Sequence, residues 1–275
     1  MVEEFAAAKV NLTLHITGQR ADGYHLLDSL VAFADVGDTV RAEPADQISL
    51  KVDGPEAASV PLTDDNSVVM AARHAAPGTG ARLHLTKVLP VASGIGGGTA
   101  DAAAAFRAMR RLTGHTDAPR VEDVEALGAD VPVCLFSRTA RMRGIGERLD
   151  FVDLPRLPAV LVNPRVEVST PAVFKRIAHK DNSAMPDIPV LADVSAVAAW
   201  LGAQRNDMQA AAIDLVPPIA QTLEVLGHTE PLLARMSGSG ATCFGIYADD
   251  EAARNAAAQI SKAHPDWWVA PCHLS

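Results

Sequence analysis

An α+β protein of two domains is what the sequence predicts, on three observations. The chain has 275 residues, and at ~150 residues per domain that is one large domain or two modest ones. Strand-like and helix-like stretches come in groups, without the regular alternation of a doubly wound sheet. A segment bracketed by two prolines, Leu154-Pro155-Arg156-Leu157-Pro158, reads as a linker between residues 1–153 and 159–275.

Composition narrows the class further. Apolar residues make up 48% and charged residues 21%, so a core can form and wholesale disorder is excluded. Aromatics are only 4%, which leaves a core of Ala, Val and Leu. The net charge of −9 argues against general attraction to nucleic acid or to an anionic membrane. No uncharged apolar run is long enough to span a bilayer. Met1-Val2-Glu3-Glu4-Phe5 carries acid where a signal peptide would carry Lys or Arg. The three cysteines, Cys134, Cys243 and Cys272, are far apart and odd in number, and no C-x-x-C or H-E-x-x-H is present. Neither a disulfide framework nor a zinc site is expected, and a reducing cytoplasm is the expected compartment.

Along the chain, residues 8–17 alternate well enough for a strand. The polar run Gly18-Gln19-Arg20-Ala21-Asp22-Gly23 then reads as a turn. Residues 26–34, 39–42 and 48–52 are further short strands. Residues 66–76 predict a helix with Asp65 or Asn66 as its N-cap. Residues 82–87 read as a strand, and a glycine loop then leads into a strong helix over 99–112. Past the linker come a strand over 159–163, helices near 171–178, 194–201 and 207–212, and strands over 232–236 and 242–247. A helix over 251–263 and a strand around 268–270 finish the chain. Residues 180–189 are polar and proline-containing, which predicts a mobile surface loop.

The strongest local signal is Leu89-Pro90-Val91-Ala92-Ser93-Gly94-Ile95-Gly96-Gly97-Gly98-Thr99-Ala100-Asp101. Glycines let the backbone curl so that several N–H groups converge, and a helix N-terminus adds further amides and a positive dipole end. Together these suit phosphates. The alternative is a plain flexible turn capped by Thr99. The run is no Walker A loop, because no Gly-Lys-Ser/Thr closes it, and its glycine spacing departs from a dinucleotide fingerprint.

Other segments are ambiguous when taken singly. In Ala8-Lys9-Val10-Asn11, Lys9 and Asn11 share a strand face, and Lys9 reads as an edge-strand charge or as a phosphate or carboxylate partner. In Leu127-Gly128-Ala129-Asp130-Val131-Pro132, Asp130 reads as an N-cap or turn residue, or as a carboxylate beside a substrate hydroxyl. Met236-Ser237-Gly238-Ser239-Gly240-Ala241-Thr242 is a hairpin turn or a place of close backbone or ligand approach. Taken singly, His25 reads as a structural turn histidine sooner than a ligand contact, and Tyr24 and Phe174 as core or boundary aromatics.

Taken together and in this order, these segments resemble the GHMP kinase superfamily. The likeness runs over nearly the whole chain, from Ala8-Lys9-Val10-Asn11-Leu12 and Gly18 to His25, through the Asp130 segment and Gly144-Ile145-Gly146-Glu147, to Met236-Ser237-Gly238-Ser239-Gly240. Its first two segments narrow the resemblance to members acting on a cytidyl-diphospho-methylerythritol in non-mevalonate isoprenoid precursor synthesis. The resemblance implies an N-terminal ribosomal-protein-S5-domain-2-like ATP-binding domain and a C-terminal α/β-plait-like domain, with the active site in the cleft between them. It implies transfer of the γ-phosphoryl group of ATP, with Mg²⁺, to the 2-hydroxyl of that substrate.

By the same resemblance, Lys9 and Asp130 would be the catalytic pair. Pro90, Val91, Ala92, Ser93, Gly94, Ile95, Gly96, Gly97, Gly98, Thr99 and Ala100 would wrap the ATP phosphates. Asn66, Lys87 and Asp101 would line the nucleotide side. Tyr24 and Phe174 would sandwich cytosine, His25 would read its polar edge, and Asn11 and Thr170 would lie on the substrate side. The metal would be held mainly by phosphates and water, with no dedicated protein cage. The expected partners are the two small molecules, with no nucleic acid and no membrane, and the expected state is a monomer or weak homodimer. The sequence departs from the family pattern at Thr99-Ala100-Asp101, where Ser-Ser-Asn is common, and at Arg143. The alternatives are another GHMP kinase acting on a different small alcohol, a silent nucleotide-binding module of the same fold and, from another class, a Rossmann oxidoreductase that binds NAD. Retention of both Lys9 and Asp130 speaks against the silent module.

Overall fold

The computed structural model describes residues 1–275. In chain order its elements are β1 (Val2–Asn11), β2 (His15–Gln19), β3 (His25–Pro44), β4 (Ser49–Asp53), α1 (Ser67–Ala75), β5 (Ala81–Thr86), α2 (Gly97–Leu112), α3 (Val131–Phe136), β6 (Ala140–Gly144), β7 (Arg148–Phe151), β8 (Leu157–Asn163), α4 (Thr170–Arg176), α5 (Val194–Gly202), α6 (Gln209–Leu215), α7 (Pro218–Gly227), β9 (Leu233–Met236), β10 (Cys243–Ile246), α8 (Asp250–Ala263) and β11 (Trp268–Leu274). Mixed strands and grouped helices make this α+β, as the pattern predicts. The chain divides into two compact units. One comprises Met1–Lys9, Val36–Val91 and Gly96–Ser137; the other comprises Val10–Asp35, Ala92–Ile95 and Arg138–Ser275.

In the first unit, the later part of β3 pairs antiparallel with β5, from Thr39 opposite Thr86 to Pro44 opposite Ala81. β4 lies parallel on the other edge of β5. Alternation along β5 buries Ala81, Leu83 and Leu85. Helices α1 and α2 pack on one another, and both bury small residues, among them Ala71, Ala72, Ala103 and Ala104. Alanine serves α2 twice: it has the best helix propensity and lets backbones approach closely. Asn66 caps α1, its Oδ1 accepting the Val68 amide at 2.9 Å.

In the second unit, β8 is flanked by antiparallel β10 and β11, with β9 outside β10. Val160, Leu161 and Val162 of β8 are buried without alternation, because both faces of the sheet are covered. One face packs on Ala212, Ile219, Leu226, Ala256 and Ile260 from α6, α7 and α8. Burying each large aliphatic here stabilises by about 1.5–3 kcal/mol. The early part of β3 pairs with β2 and, from Leu27 opposite Gly144 to Val31 opposite Ala140, with β6.

Several expectations need correction. The strand expected over 8–17 is two strands, β1 and β2, and β1 begins at Val2. Those expected over 26–34 and 39–42 are one continuous β3. Its interior Gly37 is required by close approach, since a Cβ there would lie 2.3 Å from the Ala6 carbonyl oxygen. Leu157 and Pro158, assigned to the linker, open β8. Residues 180–189 carry no helix or strand but are pinned down. The Asn182 amide donates to Ile16 O at 3.1 Å, Met185 is buried, and Arg141 bridges Asp28 Oδ2 and the Met185 carbonyl. No helix is long and apolar enough to cross a membrane.

Candidate active site

Lys9 lies near the end of β1 with only 3% of its surface exposed, which removes the reading as a solvated edge charge. Its Nζ lies 3.0 Å from Oδ2 of Asp130, whose side chain is 35% exposed. Asp130 precedes α3, but its carboxylate caps no amide there. Asp130 thus holds the N-cap position without capping through its side chain, and the carboxylate is left paired with a buried ammonium and open on one side. Such a pair can orient a hydroxyl and receive its proton.

The first turn of α2 runs against the stem of this lysine. A Cβ on Gly96, which has φ +66°, would lie 3.2 Å from Cβ and Cε of Lys9. Gly96 in the left-handed region, and not Thr99, is the N-cap; Thr99 Oγ1 instead donates to Gly96 O at 2.8 Å. Ala100 N is the first helix amide bonded back, to Gly96 O at 2.7 Å. Helix geometry leaves the preceding amides of Gly97, Gly98 and Thr99 without intrahelical acceptors, which is a fitting cradle for phosphate oxygens. Cys134 Sγ approaches Thr99 Oγ1 at 3.9 Å, and burial, aided by the Asp130 charge, pushes its thiol up to about 12, so it stays an uncharged wall. No three His, Cys, Asp or Glu side chains converge as a metal site. Any Mg²⁺ would depend on phosphate oxygens and water, which suits that ion.

Lys87 and Asp101 are brought together, but beneath the glycine run and buried. Lys87 Nζ donates to Asp101 Oδ2 at 2.7 Å and to Asp38 Oδ2 at 2.5 Å. Burial by itself would lower the Lys87 pKa, yet the Asp101 and Asp38 charges outweigh it and hold it above the ordinary lysine value. Burial, with the Asp38 charge acting against the pull of Lys87, pushes Asp101 up to about 8. Asp38 was missed in the sequence because no motif surrounds it. Asn66 spends both side-chain ends locally, on Val68 N and on the Pro61 carbonyl.

In the second unit, Ser93 O accepts the Thr242 amide and Gly94 O accepts Ser237 Oγ, at 3.0 and 2.9 Å. Gly94, with φ +76°, admits no side chain, since a Cβ would lie 2.6 Å from Ser237 O. Ser237 Oγ also accepts the Asn11 amide at 3.0 Å, and Asn11 Nδ2 donates to Ser29 Oγ at 2.8 Å. The Met236–Thr242 stretch is thus both the β9–β10 turn and a place of close backbone approach. Thr170 and Ser239 share a hydroxyl hydrogen bond of 2.7 Å. Ile95 and Pro90 are buried, whereas Val91 and Ala92 are exposed.

The aromatic group differs from its expected arrangement. His25 stacks on Phe174, ring centroids 4.3 Å apart and planes 10° from parallel, while Tyr24 is 58% exposed. A base sandwiched by Phe174 must therefore use the ring face away from His25 or displace that ring. His25 Nδ1 is buried without a hydrogen-bond partner. Burial, reinforced by the positive Lys180, lowers the His25 pKa, so the neutral ring is favoured.

Two family models match the chain, the GHMP kinases N terminal domain over residues 66–138 and the GHMP kinases C terminal over 188–266. The chain belongs to the GHMP kinases, a family of small-molecule kinases that use ATP. It is 58% identical to the 4-diphosphocytidyl-2-C-methyl-D-erythritol kinase of Cereibacter sphaeroides, covering 100% of this chain and 99% of that one. It is 55% identical to the protein of that name from Roseobacter denitrificans, over 100% and 94% of the two chains. The crystal structure of a 4-(cytidine 5'-diphospho)-2C-methyl-D-erythritol kinase superposes with a TM-score of 0.82 at 33% identity, covering 100% of this chain and 99% of that one.

Proposed function

We propose that the protein transfers the γ-phosphoryl group of ATP to the 2-hydroxyl of 4-diphosphocytidyl-2-C-methyl-D-erythritol, a step in isoprenoid precursor synthesis. The observation that carries this reading is the Lys9–Asp130 pair, 3.0 Å apart and set against a glycine-started helix. The substrate is taken from full-length relatives of that name. Phosphoryl transfer asks for alignment and charge stabilisation more than for covalent chemistry. Asp130 accepts the hydrogen bond, then the proton, of the acceptor hydroxyl. Lys9 faces the transferring group and offsets charge that develops on it. The amides of Gly97, Gly98 and Thr99 hold phosphate oxygens, within a loop of residues 90–100; Asn66, Lys87 and Asp101 support the nucleotide side from behind, their polar groups being bonded to protein partners. Mg²⁺ bound through phosphates and water would neutralise charge on the donor.

In the second unit, Asn11 and Thr170 form the polar substrate side, and Phe174 and Tyr24 supply aromatic faces for cytosine. The unpartnered Nδ1 of His25 supports its role at the base edge. Residues 1–153 and 159–275 are the proposed family domains; the two family models fall on either side of 154–158. The proposed setting is the cytoplasm, as a monomer or weak homodimer. A coupled ATP-consumption assay tests the reading, with the cytidyl-diphospho substrate against mevalonate and homoserine as controls. Turnover confined to the cytidyl substrate is expected. Preference for a control alcohol would favour a different GHMP specificity, and no turnover with any of them would favour the silent module.

A further inference from the structure

Asp38, in the middle of β3, is fully buried. Its two oxygens do different work. Oδ1 accepts the backbone amides of Val88 and Leu89, at 2.6 and 2.9 Å, immediately before Pro90. Oδ2 accepts Lys87 Nζ at 2.5 Å, and the same Nζ donates to Asp101 Oδ2 at 2.7 Å within the first turns of α2. Gly97 packs directly on this lysine, since a Cβ there would lie 3.2 Å from Nζ. One carboxylate thus fixes the residues that lead into the glycine run and, through one ammonium, the helix that leads out of it.

We propose that Asp38 is a positioning residue for the phosphate loop, acting through Lys87 and Asp101 to hold the first-turn amides of α2 in place for the nucleotide. This rests on reading residues 90–100 as that loop. A loop closed at both ends by one rigid, desolvated contact loses little further freedom when a phosphate arrives. Two amides and an ammonium left without Asp38 would be buried and underpaired, and the cheapest relief is for the loop to shift. Asp38 touches no ligand in this scheme. Its effect should therefore fall on the nucleotide and spare the alcohol substrate.

The test compares Asp38→Ala, Asp38→Asn and Gly97→Val in steady-state kinetics with both substrates, with melting curves to select a temperature at which each is folded. Asp38→Ala should raise the KM for ATP roughly tenfold or more, as misplacement of positioning groups typically does. The KM for the alcohol should stay within about twofold, because no contact to it is lost. Asp38→Asn keeps an oxygen for the two amides but loses the charge facing Lys87 and sets an NH2 donor against that ammonium. It should rescue part of the effect, leaving a rise in the KM for ATP smaller than that of Asp38→Ala. If Asp38→Ala does not fold, Asp38→Asn decides by itself. An unchanged KM for ATP in the folded variants, or equal weakening of both substrates, overturns the proposal. Gly97→Val separates the two readings: if it too leaves ATP unaffected, the phosphate-loop assignment falls and the role of Asp38 falls with it. If it weakens ATP while the Asp38 variants do not, only the role of Asp38 is lost.

Discussion

Asp130 is one-third exposed while its partner Lys9 is buried, so the carboxylate is the member of the pair that a substrate can reach. Asp130→Ala should cut kcat by at least ~10² with little change in ATP affinity, because both its positioning and proton-accepting roles act in the transition state. Stopped-time turnover paired with nucleotide titration checks this, and near-normal turnover in a folded variant would sink the assignment. Lys9→Ala should also lose activity, and the two losses should be less than additive, since the groups touch. At the base, stacking is worth about 1–3 kcal/mol by alanine substitution. Phe174→Ala should therefore weaken the cytidyl substrate roughly tenfold to a hundredfold and leave ATP nearly unchanged. Stacking does not distinguish cytosine from uracil; the hydrogen bond proposed for the His25 ring edge would. His25→Ala should narrow the gap between cytidyl and uridyl analogues, whereas Phe174→Ala should weaken both alike. Unchanged KM values in both variants would leave the cytidine reading without support.

At the level of elements, the turn from residues 90–96 into α2 is the part most sensitive to a single carbon atom. Gly97→Val would place a branched Cβ against Lys87 Nζ and over the first-turn amides. ATP binding should fall sharply while the cytidyl substrate still binds, as calorimetry on each ligand would reveal; equal loss of both would point to a folding defect. Other elements explain where sequence reading stops. Helix α2 was legible from its alanine run, but its start was displaced because Gly96 adopts a left-handed φ that no propensity reports. Helix α7, absent from the expected elements, begins with Pro217 and Pro218 at its N-terminus, where proline is well suited to a first helical turn. The β6–β7 hairpin was recognised only as a family motif. Its turn depends on Glu147 accepting the Ile145 amide at 2.7 Å, a contact that spacing alone does not announce.

Across the whole molecule, buried titrating groups give stability two opposing pH dependences. His15 and His25 have pKa values lowered below 6.5, first by burial. Their contribution is present above the unfolded value near 6.5 and is lost as pH falls through it, because the unfolded chain then binds more protons. Asp101 runs the other way. Its folded value of about 8 lies above the ordinary 3.8, so between the two the native state keeps a proton the unfolded chain has released. Its contribution is complete below 3.8 and declines as pH rises through about 8. Melting temperatures from pH 4 to 9 should therefore fall on both sides of an intermediate optimum. Asp101→Asn, which fixes the neutral form, should flatten the alkaline side and, since Asp101 opposes the histidines between 3.8 and 6.5, steepen the acid side; an unaltered alkaline slope would refute the raised value of Asp101.

The α+β class, the glycine-headed helix and the pairing of Lys9 with Asp130 follow from sequence, the last through an ordered family of motifs. They are legible because each leaves a local trace: a period, a glycine run or a short segment of fixed residue types. Asp38 leaves none. It lies 49 residues from the lysine it binds, and its carboxylate becomes consequential only when β3 is laid beside the residues after β5. The stacking of His25 on Phe174 is of the same kind, as is the tie from Ser237 to Gly94, 143 residues away. Burial decided these roles, since a charge or hydroxyl withdrawn from water must find its partner wherever the fold brings one, and the sequence does not record that distance.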